Sequence, residues 1–210
     1  KTTFLMGVIQ AIEEDGDCLV VYFDFAEHLV TDDHEFWKAY ATLVKRVLAS
    51  DHRDLAGEID LNSERLERDI SAIFEVINDE RIKLLTIFDH FDRLVETDIS
   101  QNTLAKLRHF SSAYSRCVTW TASRKTLSEI CFSEEWKGSL FWNVFTELIR
   151  LGCVGDDEIL EWLEELEQDR TVETGAKTEI KNWTGGLPAL LEELCSRLKD
   201  KSEAGSNISN

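Results

Sequence analysis

The sequence predicts an α/β protein with a doubly wound, mainly parallel sheet, followed by a smaller helical segment. Three observations predict it. Cys18 to Phe25 (CLVVYFDF) and Lys83 to Asp89 (KLLTIFD) are nearly continuous apolar runs of strand formers, as expected of central strands covered on both faces. Arg116 to Thr121 (RCVTWT) adds a third strand that also runs into polar residues, Ser123 and Arg124. Helical patterns of 10 to 15 residues separate these runs, the alternation of βαβ units, and such sheets bind ligands at the carboxyl ends of their strands.

Taken in order, Leu5, Val8, Ile9 and Ile12 recur at helical spacing in an opening helix that Gly16 stops. After the first strand, two long helical patterns cover Glu35 to Ala49 and Ser63 to Ile77, the second capped by Asn62 or Ser63. A short helical stretch around Phe91 to Val95 follows the second strand, and a helix from near Asn102 to Tyr114 precedes the third. Thr146 to Leu151 reads as a fourth strand or a helix. Beyond Gly152, Asp156 and Asp157 cap a helix with Ile159, Leu160, Leu163 and Leu166 on one face and a solvated glutamate face between Glu158 and Glu167. Thr171 to Lys177 reads as a connector, Leu187 to Leu198 as an amphipathic helix, and Lys199 to Asn210 as a frayed polar tail. The expected domains are thus 1–152, 153–198 and the tail 199–210.

Composition bounds the function classes. The 210 residues, 43% hydrophobic and 30% charged, suffice for one substantial domain with part of a second, and exclude global disorder. Forty-one acidic against 23 basic residues give a net charge of −18, which repels phosphate backbones and argues against direct nucleic-acid binding by this segment. The five cysteines form no Cys-x-x-Cys pair and are odd in number, so buried thiols in a reducing, cytoplasmic setting are expected. No apolar run approaches the roughly 20 residues that span a bilayer, and no membrane partner is expected. The six tryptophans, Trp37, Trp142, Trp162 and Trp183 among them, are too scattered for a stacking platform and suit core or subunit contacts.

Lys1-Thr2-Thr3 opening an amphipathic helix has the form of G-x-x-x-x-G-K-[ST] cut just before its lysine, although a chain that merely starts with lysine reads the same. In the first reading Lys1 neutralises the β and γ phosphates, Thr2 gives its hydroxyl to Mg²⁺, and the helix N-terminus adds its positive dipole. Asp89 then ends an apolar strand where a carboxylate reaches the shell of that ion. The bland alternative, an aspartate capping the next turn, fits the strand taken alone. Asp89, His90 and Asp92 make a poor separate metal cluster, because adjacent ligands at a strand end diverge. No Ser-His-Asp or Cys-His set assembles from His28, His34, His52 and His109.

In this order the motifs resemble the ATPase domain of the STAND class, within the AAA-like P-loop NTPases, over most of the chain from Lys1 to about Leu198. They are Lys1-Thr2-Thr3, Ile87 to Leu94 (IFDHFDRL), Val118 to Arg124 (VTWTASR) and Thr184 to Pro188 (TGGLP). The resemblance implies a P-loop fold whose first strand and glycine loop lie upstream of Lys1, closed by a helical lid. It also implies ATP or ADP with Mg²⁺ as cofactors. Lys1, Thr2, Thr3 and Ser123, with Gly186 and Pro188 of the lid, would then contact the nucleotide, Thr2 and Asp89 the metal, and Asp89, His90 and Arg124 would carry the chemistry. Arg124 would report on the γ-phosphate. His90 stands where the family places a second acidic residue, so slow or modest hydrolysis is expected of the ATPase. The implied role is a switch that couples nucleotide state to homo-oligomerisation or to effector and sensor domains, in signalling or defence. A degenerate P-loop scaffold without turnover is the rival, and a DNA remodeller is disfavoured by the charge.

Overall fold

Every residue of the Leu84–Asp89 strand is buried, and the sheet is built around it. The structure, a computed structural model, describes residues 2–131, 145, 147, 149, 151–155, 159, 174–188, 190, 191, 193, 194 and 197. The chain divides into two units, Lys1–Leu148 and Ile149–Asn210. In the first, α1 (Thr2–Asp15) leads into β1 (Leu19–Asp24), followed by α2 (Asp33–Asp51), α3 (Arg53–Glu58) and α4 (Leu66–Asp79). Then come β2 (Leu84–Asp89), a 3-10 helix (Phe91–Glu96), α5 (Gln101–Ala113), β3 (Cys117–Thr121) and α6 (Leu127–Cys131). The three strands are parallel in the order β1-β2-β3.

Alternation along the strands assigns the two faces. Val20, Leu85 and Ile87 turn to one side, where they pack with Leu5 and Ile9 of α1. Val21, Phe23, Leu84 and Phe88 turn to the other and join residues of α2, α4 and α5 in the main core. Helices therefore cover both faces, which is why β1 and β2 read as continuous apolar runs. Phe88 is central to the larger core: its ring centroid lies 5.8 Å from Phe23 and Tyr40, and 6.0 Å from Phe25 and Phe91.

Helix ends follow local side-chain chemistry. Asp32 caps α2 by accepting the Glu35 amide, and Glu35 in turn accepts the Thr31 amide and hydroxyl. Ser100 caps α5, while Asp33 accepts the Ser100 amide at 2.7 Å, tying the starts of α2 and α5 together. Gly16 ends the α1 segment at φ +71°, as its position predicts. The expected cap of α4 is corrected: Arg65, not Asn62 or Ser63, precedes the helix, and no side chain caps it. Asn62 and Ser63 are spent in the preceding turn, where Asp60 accepts the Asn62 amide and Ser63 accepts the Arg65 amide. The polar stretch after α2 also folds, as α3, by burying Leu55 and Ala56.

In the second unit, Ile159, Ile180 and Leu191 form a small core with Val154 and Leu194 against it. The helix Thr174–Thr184 overlaps the expected connector, because Ile180 supplies an apolar anchor that a loop would leave exposed. Residues 188, 190, 191, 193, 194 and 197 are helical, as the 187–198 pattern predicts. Residues 145, 147, 149 and 151 are neither helix nor strand; the rest of the proposed fourth strand, most of the glutamate-faced helix and the tail 199–210 lie outside the described residues. Cys153 is exposed rather than buried, and Trp183 is 78% exposed rather than in a core.

Candidate functional site

The face of the sheet that carries α1 ends in two carboxylates. Asp24 and Asp89 occupy paired positions at the carboxyl ends of β1 and β2, and both are buried, with 5% and 0% exposure. Two anions removed from water on adjacent strands need compensating donors. Asp89 Oδ2 accepts the Thr2 hydroxyl at 2.9 Å and the Tyr22 hydroxyl at 3.1 Å, while Oδ1 accepts the His90 amide at 2.7 Å. Asp24 Oδ1 accepts the Ala26 amide at 2.7 Å and lies 2.8 Å from His90 Nδ1. Burial, and then the charge of Asp89, push the Tyr22 phenol well up, so it stays protonated and donates.

Thr2 reaches Asp89 because α1 packs along the same face as Tyr22, Asp24 and Asp89, with its first turn at the carboxyl ends of the strands. That turn also directs helix N-terminal amides and the positive end of the dipole to this end of the sheet. His90 adopts the left-handed conformation, φ +50° and ψ +38°, between β2 and the 3-10 helix. This backbone is rare for a residue with a side chain and clusters at functional sites.

The tip of β3 joins the same end. Ala122 donates its amide to the Phe88 carbonyl at 2.8 Å and accepts the Phe91 amide at 3.0 Å, which brings Ser123 and Arg124 beside the end of β2. The Arg124 amide donates to Asp92 Oδ1 at 3.0 Å, and its residue is exposed; the Ser123 hydroxyl donates to the Lys125 carbonyl. Thr3 is exposed, and Lys1 lies outside the described residues. The structure therefore gathers Thr2, Asp89 and His90 directly, with Ser123 and Arg124 on the neighbouring strand tip.

Gly186 and Pro188 belong to the second unit. Gly186 has φ +71°, its carbonyl accepts the Val154 amide at 2.7 Å, and a Cβ there would lie 2.6 Å from the Val154 carbonyl oxygen. Packing thus requires glycine whatever its ligand. The Leu187 carbonyl accepts the Leu190 and Leu191 amides, which puts Pro188 in a first helical turn where its missing N–H is not needed.

Sequence reasoning missed Tyr22 and Asp24. The signal for Asp24 was present, since both buried runs close on an aspartate. Tyr22 carried none, being one more strand former in an apolar run. As a donor set, the Thr2 hydroxyl and the Asp89 carboxylate are hard oxygen ligands suited to Mg²⁺, which takes one or two carboxylates and fills its octahedron with water and phosphate oxygens. Asp24, Asp89 and His90 also lie close enough, with ligand atoms within 4.8 Å of one another, to meet a single cation.

No protein-family model matches this chain, and no curated protein matches it in sequence. Solved structures do match. The ORC2 protein of Aeropyrum pernix, determined in ADPNP-ADP complexes, superposes with a TM-score of 0.54 at 13% identity over 74% of this chain and 38% of its own. Cdc6p of Pyrobaculum aerophilum gives 0.53 at 10% identity over 79% and 39%. A Walker-type ATPase of Pyrococcus abyssi gives 0.53 at 13% identity over 82% and 53%. The chain spans between about two fifths and about half of the length of these proteins. Among the described residues no helix is long and apolar enough to cross a membrane. At these identities the likeness is one of fold, and the fold is that of the P-loop ATPases.

Proposed function

We propose that this chain is the nucleotide-binding core of a STAND-like switch that binds Mg-ATP, hydrolyses it slowly, and couples nucleotide state to oligomerisation or to an effector domain in signalling or defence. One observation carries the reading: the Thr2 hydroxyl meets Asp89 Oδ2 at 2.9 Å across 87 positions of sequence. A hydroxyl in the first turn of a helix and a buried strand-end carboxylate, converging under a helix N-terminus, are the two protein ligands that P-loop sites offer to Mg²⁺. An Mg²⁺ held there would supply charge neutralisation for phosphoryl transfer. Thr2 and Asp89 would hold the ion, Lys1 would neutralise the phosphates, and Ser123 and Arg124 would approach from β3. The likeness to an ORC2 protein solved in ADPNP-ADP complexes and to a Walker-type ATPase supports the nucleotide part of this reading.

His90 sets the rate expected. The resemblance implies a second acidic residue at this position, and with an imidazole there instead the group that orients the attacking water is changed, so turnover well below about 1 s⁻¹ is expected. Calorimetric titration of MgATP into the full-length protein tests the reading. Micromolar affinity, about 8 kcal/mol, is expected, with Lys1→Ala weakening it about 30-fold or more.

A second reading has its own support. Asp89 is fully buried yet accepts hydrogen bonds from Thr2, Tyr22 and the His90 amide, so the fold satisfies this carboxylate without an ion. A scaffold that no longer binds nucleotide would keep such a network. Heat-free titrations with MgATP and MgADP alike would establish it over the switch.

A further inference from the structure

We propose that Asp24 is a positioning residue for His90: its carboxylate fixes the imidazole with the proton on Nδ1, so that Nε2 holds the lone pair that orients a water for phosphoryl transfer. This rests on the nucleotide-binding reading above. A carboxylate only accepts, and Nδ1 lies 2.8 Å from Asp24 Oδ1 and 3.8 Å from Asp89 Oδ2. The Asp24 contact is at hydrogen-bond distance and so requires an N–H at that ring atom, while Asp89 Oδ2 lies beyond it. The acceptor lone pair of the neutral ring is left on Nε2, in a side chain that is 24% exposed and so reachable by water.

The arrangement is held from several directions. Asp24 is 5% exposed; its Oδ1 also takes the Ala26 amide, and its backbone carbonyl takes the Glu27 and His28 amides and faces His28 Nδ1 at 3.1 Å. His90 is anchored at a second point by its own amide on Asp89 Oδ1, and its backbone is left-handed despite the cost of that conformation. A carboxylate–imidazole pair that sets tautomer and ring plane is the same device that orients metal-bound and catalytic histidines elsewhere.

In the step served, the water oxygen bonds to the γ-phosphorus as the bond from that phosphorus to the β,γ-bridging oxygen breaks. The nucleoside diphosphate leaves with the bonding pair, one water proton stays on the inorganic phosphate, and the other passes to solvent. The transition state is loose, so aiming the water counts for more than removing its proton early.

Long-range ¹H–¹⁵N NMR of the histidine-labelled full-length protein, with the His90 signals assigned by their loss in His90→Gln, reads the tautomer without nucleotide. The Nδ1–H form is expected to exceed the other by about tenfold or more in the wild type, and the preference to collapse in Asp24→Asn. Single-turnover hydrolysis in Asp24→Asn, at MgATP concentrations that saturate each protein, should fall about 10- to 100-fold. A predominant Nε2–H form in a wild-type protein that binds MgATP overturns this inference alone, as does an Asp24→Asn variant with unchanged tautomer and rate. A wild-type protein that binds no MgATP instead overturns the nucleotide reading itself.

Discussion

Asp89 is a carboxylate with no exposure to water, held by hydroxyl and amide donors around it. Removing one hydroxyl donor tests how much that network holds. Tyr22→Phe keeps the ring and leaves Oδ2 with the Thr2 hydroxyl, so a loss of about 1–2 kcal/mol in chemical denaturation is expected. Burial also acts on the thiols. It pushes Cys117 up to about 12 from an ordinary value of 9.0. Between those values the unfolded chain releases the thiol proton while the folded chain keeps it, so stability falls as pH rises from about 9 towards 12. Denaturation at pH 8 and pH 10 should show a smaller drop in Cys117→Ala than in wild type, if packing is otherwise kept. Cys153, exposed, should react with maleimide at pH 7.5 while Cys117 stays protected until the chain unfolds.

At the scale of elements, β1 and β2 were legible because burial on both faces leaves a continuous apolar signature, and the carboxyl-end aspartate was legible because a charge at the end of such a run is costly without a purpose. The site residues between strands were less so. Asp24 becomes significant only through its register with Asp89, and Tyr22 only because alternation turns it to the α1 face, neither of which a single strand reveals. The α4 cap was misplaced because Asn and Ser serve turns as readily as caps, and Asp60, Asn62 and Ser63 closed a turn first. The Thr174–Thr184 helix was hidden because its polar, glycine-containing start outweighs the single anchor Ile180. Two substitutions probe these elements. Phe88→Ala empties the centre of the aromatic cluster and should cost about 3–5 kcal/mol. Gly186→Ala forces a side chain onto the Val154 carbonyl at φ +71° and should cost the second unit about 1–3 kcal/mol, seen as earlier loss of its helical signal on heating.

For the whole molecule, a formal charge of −18 bears on the proposed ligand, since MgATP is itself a net anion. Long-range repulsion would slow the encounter, and screening by salt relieves it, so the association rate with MgATP should rise between low salt and about 0.15 M, the reverse of a basic nucleotide-binding surface. On the proposed reading the attraction would come from local chemistry: the helix N-terminus at α1, Lys1, and a divalent ion that Thr2 and Asp89 would hold. The dependence of nucleotide affinity on that ion is the most direct measure of the account. Wild-type protein titrated with ATP in the presence of Mg²⁺ and then of chelator should bind at least about tenfold more tightly with the ion, and Asp89→Asn, which keeps the shape of the side chain but not its charge, should erase the difference. Equal affinity with and without Mg²⁺ in the wild type, or an undiminished Mg²⁺ effect in Asp89→Asn, would contradict it.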